Sequence, residues 1–514
     1  MEKTKYDNIP KEKFQFAGQR DLSHDKRLAT KPVGYFRDAF RRFCKNKGSV
    51  VAACIILILV LFAIIGPFCT PYSVSYNDTF YTYTLPKNSW FANTSFWDGC
   101  SEETLNKEAF TRYYAMGQET GHNAVKNQNY ELITGGRTDM YTFRLDSYHK
   151  TGCEYMNVSR ETYFAIQEYQ NQTGRQVIYP TLRTSDRPQA TQDRSDADYY
   201  YQTEFVNGRT QTVYDENGNI IPVYKTTREG EQPVDEYNSI RIAEPEGVNY
   251  EYAIPTDAGF EIRVNYYEYY ICNHTYLNPD GISEPSFLFG TTAQGQDIFT
   301  ALASGARFSF IFAIIVAAFN LLVGAIYGAV EGYYGGKVDL VMERISDILA
   351  AVPFVIVITL LQLYMEASSS MLVLFIAFFA TGWISMANTT RMQFYRYKNQ
   401  EYVLAARTLG ARDRRIMFKH IFPNALGTLI TSFVLIIPSM IYSETNLSYL
   451  GIINLSSGSL TSVGTLLANG QPYLQTYPHI ILFPSIFLAL LMLSFNLFGN
   501  GLRDAFNPSL RGSD

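Results

Sequence analysis

One stretch of this chain, EYVLAARTLGARDRRIMFKHIFPN, carries many charged side chains that could serve a function. It runs from Glu401 to Asn424, between two long uncharged runs. Its first part, Glu401–Leu409, is made of helix-forming residues, and Gly410 follows where a helix needs a residue with positive φ to end. Helical spacing resumes from Ala411 to Ile421. The pattern predicts a small helical hairpin.

The side chains of this hairpin suit contact with another macromolecule rather than bond-making chemistry. Ala405, Ala406 and Gly410 are small, so the surface that they form is shallow enough for a second protein to press against it. Pro423 falls near the first turn of the following apolar helix, where its missing N–H costs little. The competing interpretation is a basic amphipathic turn that lies on anionic lipid.

The sequence contains no nucleotide-binding loop of the form G-x-x-x-x-G-K-[ST], because the GGK of Gly335–Lys337 lacks that spacing and the following Ser or Thr. This chain therefore cannot hydrolyse ATP through a P-loop, and we expect it not to be an enzyme. We expect no cofactor and no metal either. The histidines His122, His149 and His274 are scattered, and no Cys/His spacing fits a zinc site.

Glu444 lies near the end of a long apolar run and is its only acid. An ionisable group at membrane depth is a functional candidate by default, because burying a charge there is costly. The alternative is an interfacial carboxylate in contact with water. Asn446 and Gly451 follow it and lead into a Ser/Asn-rich, glycine-punctuated segment. That segment is either a re-entrant loop lining a path through the membrane or a simple surface loop.

Six charge-poor runs are long enough to cross a bilayer as helices, which need about 20 apolar residues. They are Val50–Cys69, Phe308–Val330, Ile348–Met365, Ser370–Asn388, Ala425–Tyr442 and His479–Phe498. The third run is the shortest, and Pro353 interrupts it. We interpret the first run as a retained span rather than a cleaved signal peptide, because a long charged tail precedes it and no small-x-small site follows Ile65.

The basic residues of the short loops predict the orientation of these spans. Arg20–Lys47 has nine Lys/Arg against three Asp, and Arg391–Lys419 has eight against two acids. With both termini in the cytoplasm, six spans place these clusters in the cytoplasm as well. The predicted segments are a tail (1–48), a first transmembrane helix (49–69), an extracytoplasmic inserted domain (70–290), a core with five transmembrane helices and the 401–424 hairpin (291–508), and a second tail (509–514).

The inserted domain differs from its surroundings in charge. Residues 70–290 contain 31 acidic and 17 basic side chains, a balance of −14, whereas the whole chain carries −5. We predict an α+β domain with more strand than helix. Its predicted elements are a helix at Arg160–Gln172 capped by Asn157 or Ser159, a hairpin at Thr212–Thr226 and strands within Glu251–Ile271. Four cysteines fall on this side, in three possible disulfide pairings or as free thiols: Cys69, Cys100, Cys153 and Cys272.

Several blocks of the sequence resemble one family, in the order in which that family carries them. Besides the hairpin they are FGTTAQGQDIFTALASGARFSF (Phe289–Phe310), GYYGGKVDLVMERISDILAAVP (Gly332–Pro353), SETNLSYLG (Ser443–Gly451) and FNLFGNGLRDAFNP (Phe495–Pro508). The family is that of ABC-importer inner-membrane permeases of the oligopeptide and dipeptide type (C-type subunit). Thr292 and Gln296 depart from the usual Asp and Arg of this type, whereas Leu404 and Phe422 depart from the Glu and Leu of the general ABC-importer hairpin. The resemblance covers the tail, the first span and residues 287–510, but not the insert.

The resemblance implies an α-helical polytopic membrane protein with six transmembrane helices, similar to ABC type I importers, and an α+β extracytoplasmic domain inserted between helices 1 and 2. In that family the hairpin couples the permease to an ATP-binding subunit. The coupling role carries over to Glu401, Ala405, Ala406, Arg407, Gly410, His420 and Pro423. Glu444, Asn446 and Gly451 become candidates for the translocation path.

The resemblance further implies that the chain forms half of a peptide translocation path in a bacterial cytoplasmic membrane. The implied partners are a homologous second permease, two ATP-binding subunits that bind ATP and Mg²⁺, an extracytoplasmic peptide-binding protein and the lipid membrane, with no nucleic acid. A permease for another solute of the family, such as nickel, is the nearest alternative. A membrane-tethered receptor would leave the hairpin unexplained, and an ion-gradient transporter would need acids or histidines in several spans.

Overall fold

The structure is a computed structural model that describes residues 35–506, except 89–90, 92–93, 95–96, 134–139, 180–202, 207–208, 213–215, 217–231, 234–239, 242–251, 366–368 and 456–460. The described residues begin with two helices and continue into the inserted domain. The helices before and within that domain are α1 (Tyr35–Lys45), α2 (Lys47–Cys69), α3 (Lys107–Thr120), α4 (Arg160–Thr173) and α5 (Tyr266–Cys272). The helices after it are α6 (Ile298–Tyr334), α7 (Gly336–Ala350), α8 (Phe354–Tyr364), α9 (Ser370–Thr381), α10 (Trp383–Tyr397), α11 (Glu401–Thr408), α12 (Asp413–Arg415), α13 (Phe422–Tyr449), α14 (Val463–Gly470) and α15 (His479–Phe506).

The predicted membrane spans coincide with helices of suitable length and apolarity. Among the described residues, five continuous helical segments qualify: Lys47–Cys69, Ile298–Tyr334, Ser370–Tyr397, Asp413–Tyr449 and His479–Phe506. The third predicted span, Ile348–Met365, falls on the end of α7 and on α8, a pair of helices bent by 70°. Pro353 lies at that bend, as expected of a residue that cannot donate a backbone hydrogen bond within a helix. The fold is therefore a helical polytopic membrane protein with up to six spans.

Helix α6 is the centre of the helical part. Gly324, Gly328 and Gly332 recur on it every fourth residue, so they share one face. A Cβ atom at Gly328 would lie 2.1 Å from the carbonyl oxygen of Ala387 on α10, and one at Gly332 would lie 2.7 Å from the carbonyl oxygen of Arg391. Only glycine permits this approach of two backbones, and such small-residue seams are typical of packed membrane helices. The same helix contacts α2 and α13 on its other sides.

The inserted domain between α2 and α6 contains both helices and strands. Its strands are β1 (Cys100–Asn106), β2 (Val125–Ile133), β3 (Met140–Asp146), β4 (Cys153–Val158), β5 (Ile178–Tyr179), β6 (Thr203–Val206), β7 (Arg209–Thr212), β8 (Gln232–Pro233), β9 (Ile240–Arg241), β10 (Ala253–Thr256) and β11 (Gly259–Asn265). One antiparallel sheet has the order β1-β3-β2, and a second has β10-β11-β4 with β5 also paired to β11. Strands β6–β7 and β8–β9 form separate antiparallel pairs.

Two local predictions for this domain can be compared with the structure, and a third lies outside the described residues. Helix α4 starts where predicted, and the Ser159 hydroxyl accepts the backbone N–H of Thr162, which makes Ser159 the N-cap. The prediction of strands up to Ile271 was wrong for its last residues. Asn265 accepts the N–H groups of Tyr267 and Glu268 and starts helix α5 there. Most of the Thr212–Thr226 hairpin prediction falls outside the described residues.

A buried carboxylate organises the part of this domain next to the spans. Asp78 accepts the hydroxyl of Tyr266 at 2.7 Å and the backbone N–H groups of Phe80 and Tyr81 at 2.9 and 3.1 Å. These donors satisfy a carboxylate that burial would otherwise destabilise. The tyrosines around it form an aromatic core that also includes Phe287.

All six cysteines lie within the described part of the chain and are free thiols there.

A cluster of charged and aromatic side chains joins α5 to the loops that follow α3, β3 and α4. Glu268 receives two hydrogen bonds from Arg175, and its Oε1 lies 2.7 Å from His122 Nε2. The ring of His149 stacks on His122 and contacts Tyr267 at 4.4 Å between centroids. Burial, only partly offset by the nearby Asp146 carboxylate, lowers the pKa of His149 to about 4. The folded domain therefore holds this imidazole in its neutral form.

Acid should destabilise the inserted domain through His149. An unfolded histidine titrates near 6.5, so the full stability contribution is present above that pH and about 3 kcal/mol is lost as the pH falls from 6.5 to about 4. Hydrogen exchange of β4 and β11 in the full chain, corrected for intrinsic rates, measures this loss. His149→Phe should flatten the pH dependence, whereas His274→Gln should preserve it. An equal acid response in His149→Phe would contradict the assignment.

Candidate functional site

The first arm of the hairpin folds as the sequence predicts. Helix α11 ends at Thr408, and Gly410 follows with a φ of +79°. The N–H groups of Gly410 and Ala411 donate to the carbonyls of Arg407 and Ala406, which closes the turn. No atom lies within 4 Å of a Cβ built on Gly410, so backbone conformation rather than space requires glycine there.

The second arm differs from the prediction in its hydrogen bonding. A regular helix was expected over Ala411–Ile421, but only the short α12 is α-helical, and Ile416–Ile421 forms a π-helical turn that continues into α13. Pro423 explains the wider turn, because it has no N–H to donate and its ring crowds the carbonyl four residues earlier. The side-chain amide of Asn424 donates to the carbonyl of His420 at 2.8 Å.

One face of the hairpin is buried against the spans. Val403 of α11 and Ile416, Met417 and Ile421 of the π turn are nearly inaccessible. They form one apolar cluster with Phe394 of α10 and with two residues of α6, Ala329 and Tyr333. The hairpin is therefore seated on the same two helices that the glycine seam brings together.

A polar contact ties both arms of the hairpin to α6. The hydroxyl of Tyr333 donates to Asp413 Oδ1 at 2.6 Å, and Arg407 donates to that hydroxyl oxygen at 3.3 Å. The Arg407 guanidinium also lies 5.7 Å from the centroid of the Tyr333 ring. Since Arg407 is on the first arm and Asp413 on the second, Tyr333 fixes the two arms relative to each other and to α6.

The opposite face of the hairpin is open and apolar at its tip. Leu409 is 87% exposed, and Leu404 and Phe418 are each 45% exposed. Of the predicted coupling residues, Glu401, Ala405, Arg407, Gly410 and Pro423 are exposed, whereas Ala406 and His420 are half-buried. The structure thus brings all seven predicted coupling residues onto one hairpin. A hairpin lying only on lipid would not require two arms anchored to α6 and α10.

A network of charges joins α6, α7 and α10 beside the hairpin. Arg391 donates to Asp339 at 2.6 and 3.0 Å and to Glu343 at 2.9 Å, both on α7. Its Nε also lies 3.4 Å from the carboxylate of Glu331, which is 1% exposed. Within α7, all of which the structure describes, only Ser346 is buried. The charge network is therefore the principal attachment of α7 to α10.

Glu444 lies in a buried site at the other end of the helices. It is fully buried in this chain, which excludes the predicted alternative of a water-exposed interfacial carboxylate. The hydroxyls of Ser309 on α6 and Ser448 on α13 each donate to it at 3.1 Å, and the hydroxyl of Ser462 hydrogen-bonds it as well. Ser462 is the N-cap of α14. The carboxylate therefore connects three helices.

Helix α14 is wedged between α6 and α13. A Cβ at Gly464 would lie 2.7 Å from the Cα of Thr445, and one at Gly305 would lie 3.0 Å from the carbonyl carbon of Ser462. The segment after α13 thus includes a buried helix, α14, as a re-entrant element would. Of the other predicted path residues, Asn446 is half-buried, and Gly451 has a φ of +70° and is exposed.

Sequence reasoning missed Tyr333, Arg391 and Glu331. In the sequence, Arg391 is one of a cluster of basic residues, and Tyr333 lies within the family block Gly332–Pro353. Two signals were present in the sequence. The recurrence of glycine every fourth residue up to Gly332 marks a close helix contact, and Glu331 is an acid at the end of a long apolar helix, where a partner is needed.

Comparison with known sequence families gives two matches. The family described as "Binding-protein-dependent transport system inner membrane component" matches residues 324–512. The family described as "N-terminal TM domain of oligopeptide transport permease C" matches residues 34–86. The hairpin, the Arg391 network and Glu444 fall within the first match, whereas residues 87–323 are covered by neither.

Individual proteins are similar to this chain over a little less than half of its length. It is 42% identical over 235 residues to the oligopeptide transport system permease protein OppC of Bacillus subtilis (strain 168), covering 46% of this chain and 76% of that protein. It is 38% identical over 224 residues to the dipeptide transport system permease protein DppC of the same organism, covering 43% of this chain and 69% of that protein. Among solved structures, an inward-facing MetNI methionine ABC transporter chain matches with a TM-score of 0.33 and 15% identity, covering 40% of this chain and 96% of that chain.

Removing the charge of Arg391 should release α7 from α10. Arg391→Met leaves three carboxylates close together without their cation, which costs about 3 kcal/mol or more for a largely buried ion pair. Hydrogen exchange over Gly336–Ala350 should therefore rise strongly. Arg344→Met, whose side chain is 71% exposed and paired only with Asp347, should leave that exchange unchanged. Unaltered protection of α7 in Arg391→Met would show that the network does not hold the helix.

Proposed function

Because this chain belongs to the family of oligopeptide and dipeptide transport permeases, we propose that it is the membrane-embedded permease subunit of an ATP-driven peptide importer. The observation that carries this proposal is the hairpin. It is anchored by an apolar face and by Tyr333 to two packed helices, and it presents an exposed apolar tip around Leu409. Such an arrangement is suited to transmitting the movement of a second protein to the membrane spans.

We propose that the partner at this tip is an ATP-binding subunit. This chain has no P-loop sequence of its own, so ATP and Mg²⁺ would be bound by that subunit. The proposed contact residues are Glu401, Ala405, Ala406, Arg407, Gly410, His420 and Pro423, with Leu404, Leu409 and Phe418 adding exposed apolar surface. Buried apolar contacts with a charged rim are typical of stable protein interfaces.

Transport would proceed by alternating access. Closure of two ATP-binding subunits would displace the hairpin, and its anchorage would carry α6 and α10 with it. Loss of the hairpin's motion would stop transport even with every span correctly inserted. We propose a homologous second permease as the other half of the path, and Glu444, Asn446 and Gly451 as residues of this half. For Glu444, its burial beside the wedged helix α14 supports that assignment.

We further propose that both termini and the hairpin are cytoplasmic and that the inserted domain is extracytoplasmic. The basic residues near the tail and the hairpin support this orientation. In that position the inserted domain stands where a peptide-binding protein would deliver its cargo. Its many tyrosines suit recognition, because a tyrosine offers a broad apolar ring with a polar tip. We propose that the domain helps to dock that protein or to guide the released peptide.

Substitution at the hairpin turn tests the coupling proposal. Gly410→Val forces a β-branched residue into a φ of +79°, which costs about 1 kcal/mol or more and displaces Leu409 at the tip. We expect peptide uptake to fall while the amount of inserted protein is unchanged.

A matched control separates coupling from general strain. Gly174 has a φ of +70° and the same open surroundings, but it lies at the end of α4 in the inserted domain. Gly174→Val should therefore carry similar strain and retain uptake. Normal uptake by a well-expressed Gly410→Val variant would reject the hairpin as the coupling element.

A further inference from the structure

The connection between α14 and α15 lies directly beneath the inserted domain. Gly470, the last residue of α14, is packed so tightly on the start of α15 that a Cβ there would lie 2.8 Å from Ile481 and 2.9 Å from Ile480. The residues between the two helices include Tyr473 and Tyr477. Whatever holds this connection therefore also sets the position of the end of α14.

Tyr83 packs against that connection. Its ring stacks on Tyr477 with centroids 4.5 Å apart and planes 18° apart, and it meets Tyr473 edge-on at 4.9 Å. On the inserted domain, the ammonium group of Lys150 lies 5.7 Å from the centroid of the Tyr477 ring. The backbone N–H of Tyr83 donates to the carbonyl of Thr292, just before α6. Tyr477 is thus contacted by two separate segments of the chain.

Trp97 makes a second set of contacts with α15. Its ring stacks on Phe483, one turn into α15, at 5.8 Å and 18°, and on Phe289 at 6.3 Å and 19°. Phe289 and Phe483 are themselves stacked at 4.1 Å and 6°. The indole N–H donates to the carbonyl of Leu288 at 2.5 Å, which fixes the ring in place. Trp97 belongs to the part of the chain that neither family match covers.

The backbones of Tyr83 and Trp97 are both strained. Among the described residues, Tyr83 and Trp97 are the non-glycine residues with positive φ, at +56° and +61°. A bulky side chain is unfavourable in this region, because its Cβ comes too close to the following carbonyl oxygen. Such strain persists only where the surrounding contacts outweigh it, and it concentrates at places where a side chain must be aimed. Here both side chains are aimed at the same end of α15.

We propose that these residues form a positioning clamp, with Tyr83, Lys150 and Trp97 on one side and Tyr477 and Phe483 on the other. The clamp holds the inserted domain, the end of α14 and the start of α15 as one body. The other end of α14 is held by Glu444 through Ser462. The inserted domain is thus a fixed extension of the permease rather than a loosely tethered module, and it positions α14 beside the proposed path.

Distance measurements on the chain itself test the clamp. In a cysteine-free background in lipid nanodiscs, spin labels are placed at Phe164→Cys on α4 and at Leu474→Cys on the connection. They report the distance between the inserted domain and the connection. The two side chains are 51% and 52% exposed. The parent chain should give one narrow distance distribution. Trp97→Ala and Tyr83→Asn should lose the narrow peak, whereas Tyr364→Ala, an 84% exposed aromatic outside the clamp, should keep it.

The choice of variants distinguishes ring contact from strain. Asparagine tolerates positive φ, so Tyr83→Asn relieves the backbone while removing the ring. Tyr83→Phe keeps the ring and should retain both the narrow peak and peptide uptake. A variant that does not elute as a single species is replaced by Tyr477→Leu, which leaves both strained residues intact and should also broaden the distribution. A broad distribution in the parent, or an unchanged one in Tyr83→Asn and Tyr477→Leu, would overturn the clamp. The distances need no transport, so that result would leave the proposed function standing.

Discussion

The close approach of α6 and α10 is the contact on which the hairpin depends. Gly324, Gly328 and Gly332 leave one face of the last turns of α6 without side chains, and the backbone of α10 occupies that space. This brings Phe394 beside Ala329 and Tyr333, which together form the surface that receives the hairpin. Without the glycine seam, the two helices would lie farther apart, and the hairpin would pack against only one of them.

The same seam determines where charge can be placed. Because the backbone of Arg391 lies next to Gly328 and Gly332, its guanidinium reaches Glu331 on α6 and two of the three acids of α7, Asp339 and Glu343. A largely buried arginine surrounded by carboxylates is an attachment with strict geometry, since each unpaired charge in that environment is costly. The hairpin and the bent pair α7–α8 are therefore connected to α10 by different kinds of interaction, one apolar and one ionic.

Much of this architecture could be predicted from local sequence. Apolar runs located the spans, Gly410 marked a turn with positive φ, and Ser159 was a correct N-cap for α4. The errors arose where a local preference was overridden. Tyrosine-rich residues after Asn265 favour strands, but the Asn265 side chain caps a helix there. Pro423 turned an expected α-helix into a π turn. Contacts between distant residues, such as Arg391 with Asp339 or Glu444 with Ser309, leave no periodic pattern, and so burial and pairing could not be predicted.

The central claim is that the exposed tip of the hairpin is where an ATP-binding subunit docks. Site-specific photo-cross-linking tests it most directly, with a photoreactive amino acid at Leu409 in a complex co-expressed with its ATP-binding subunits. Leu474, 52% exposed at the opposite end of the helices, serves as the matched position. The account predicts a covalent product with the ATP-binding subunit from Leu409 and none from Leu474. An assembled complex that gives no such product from Leu409 would contradict it.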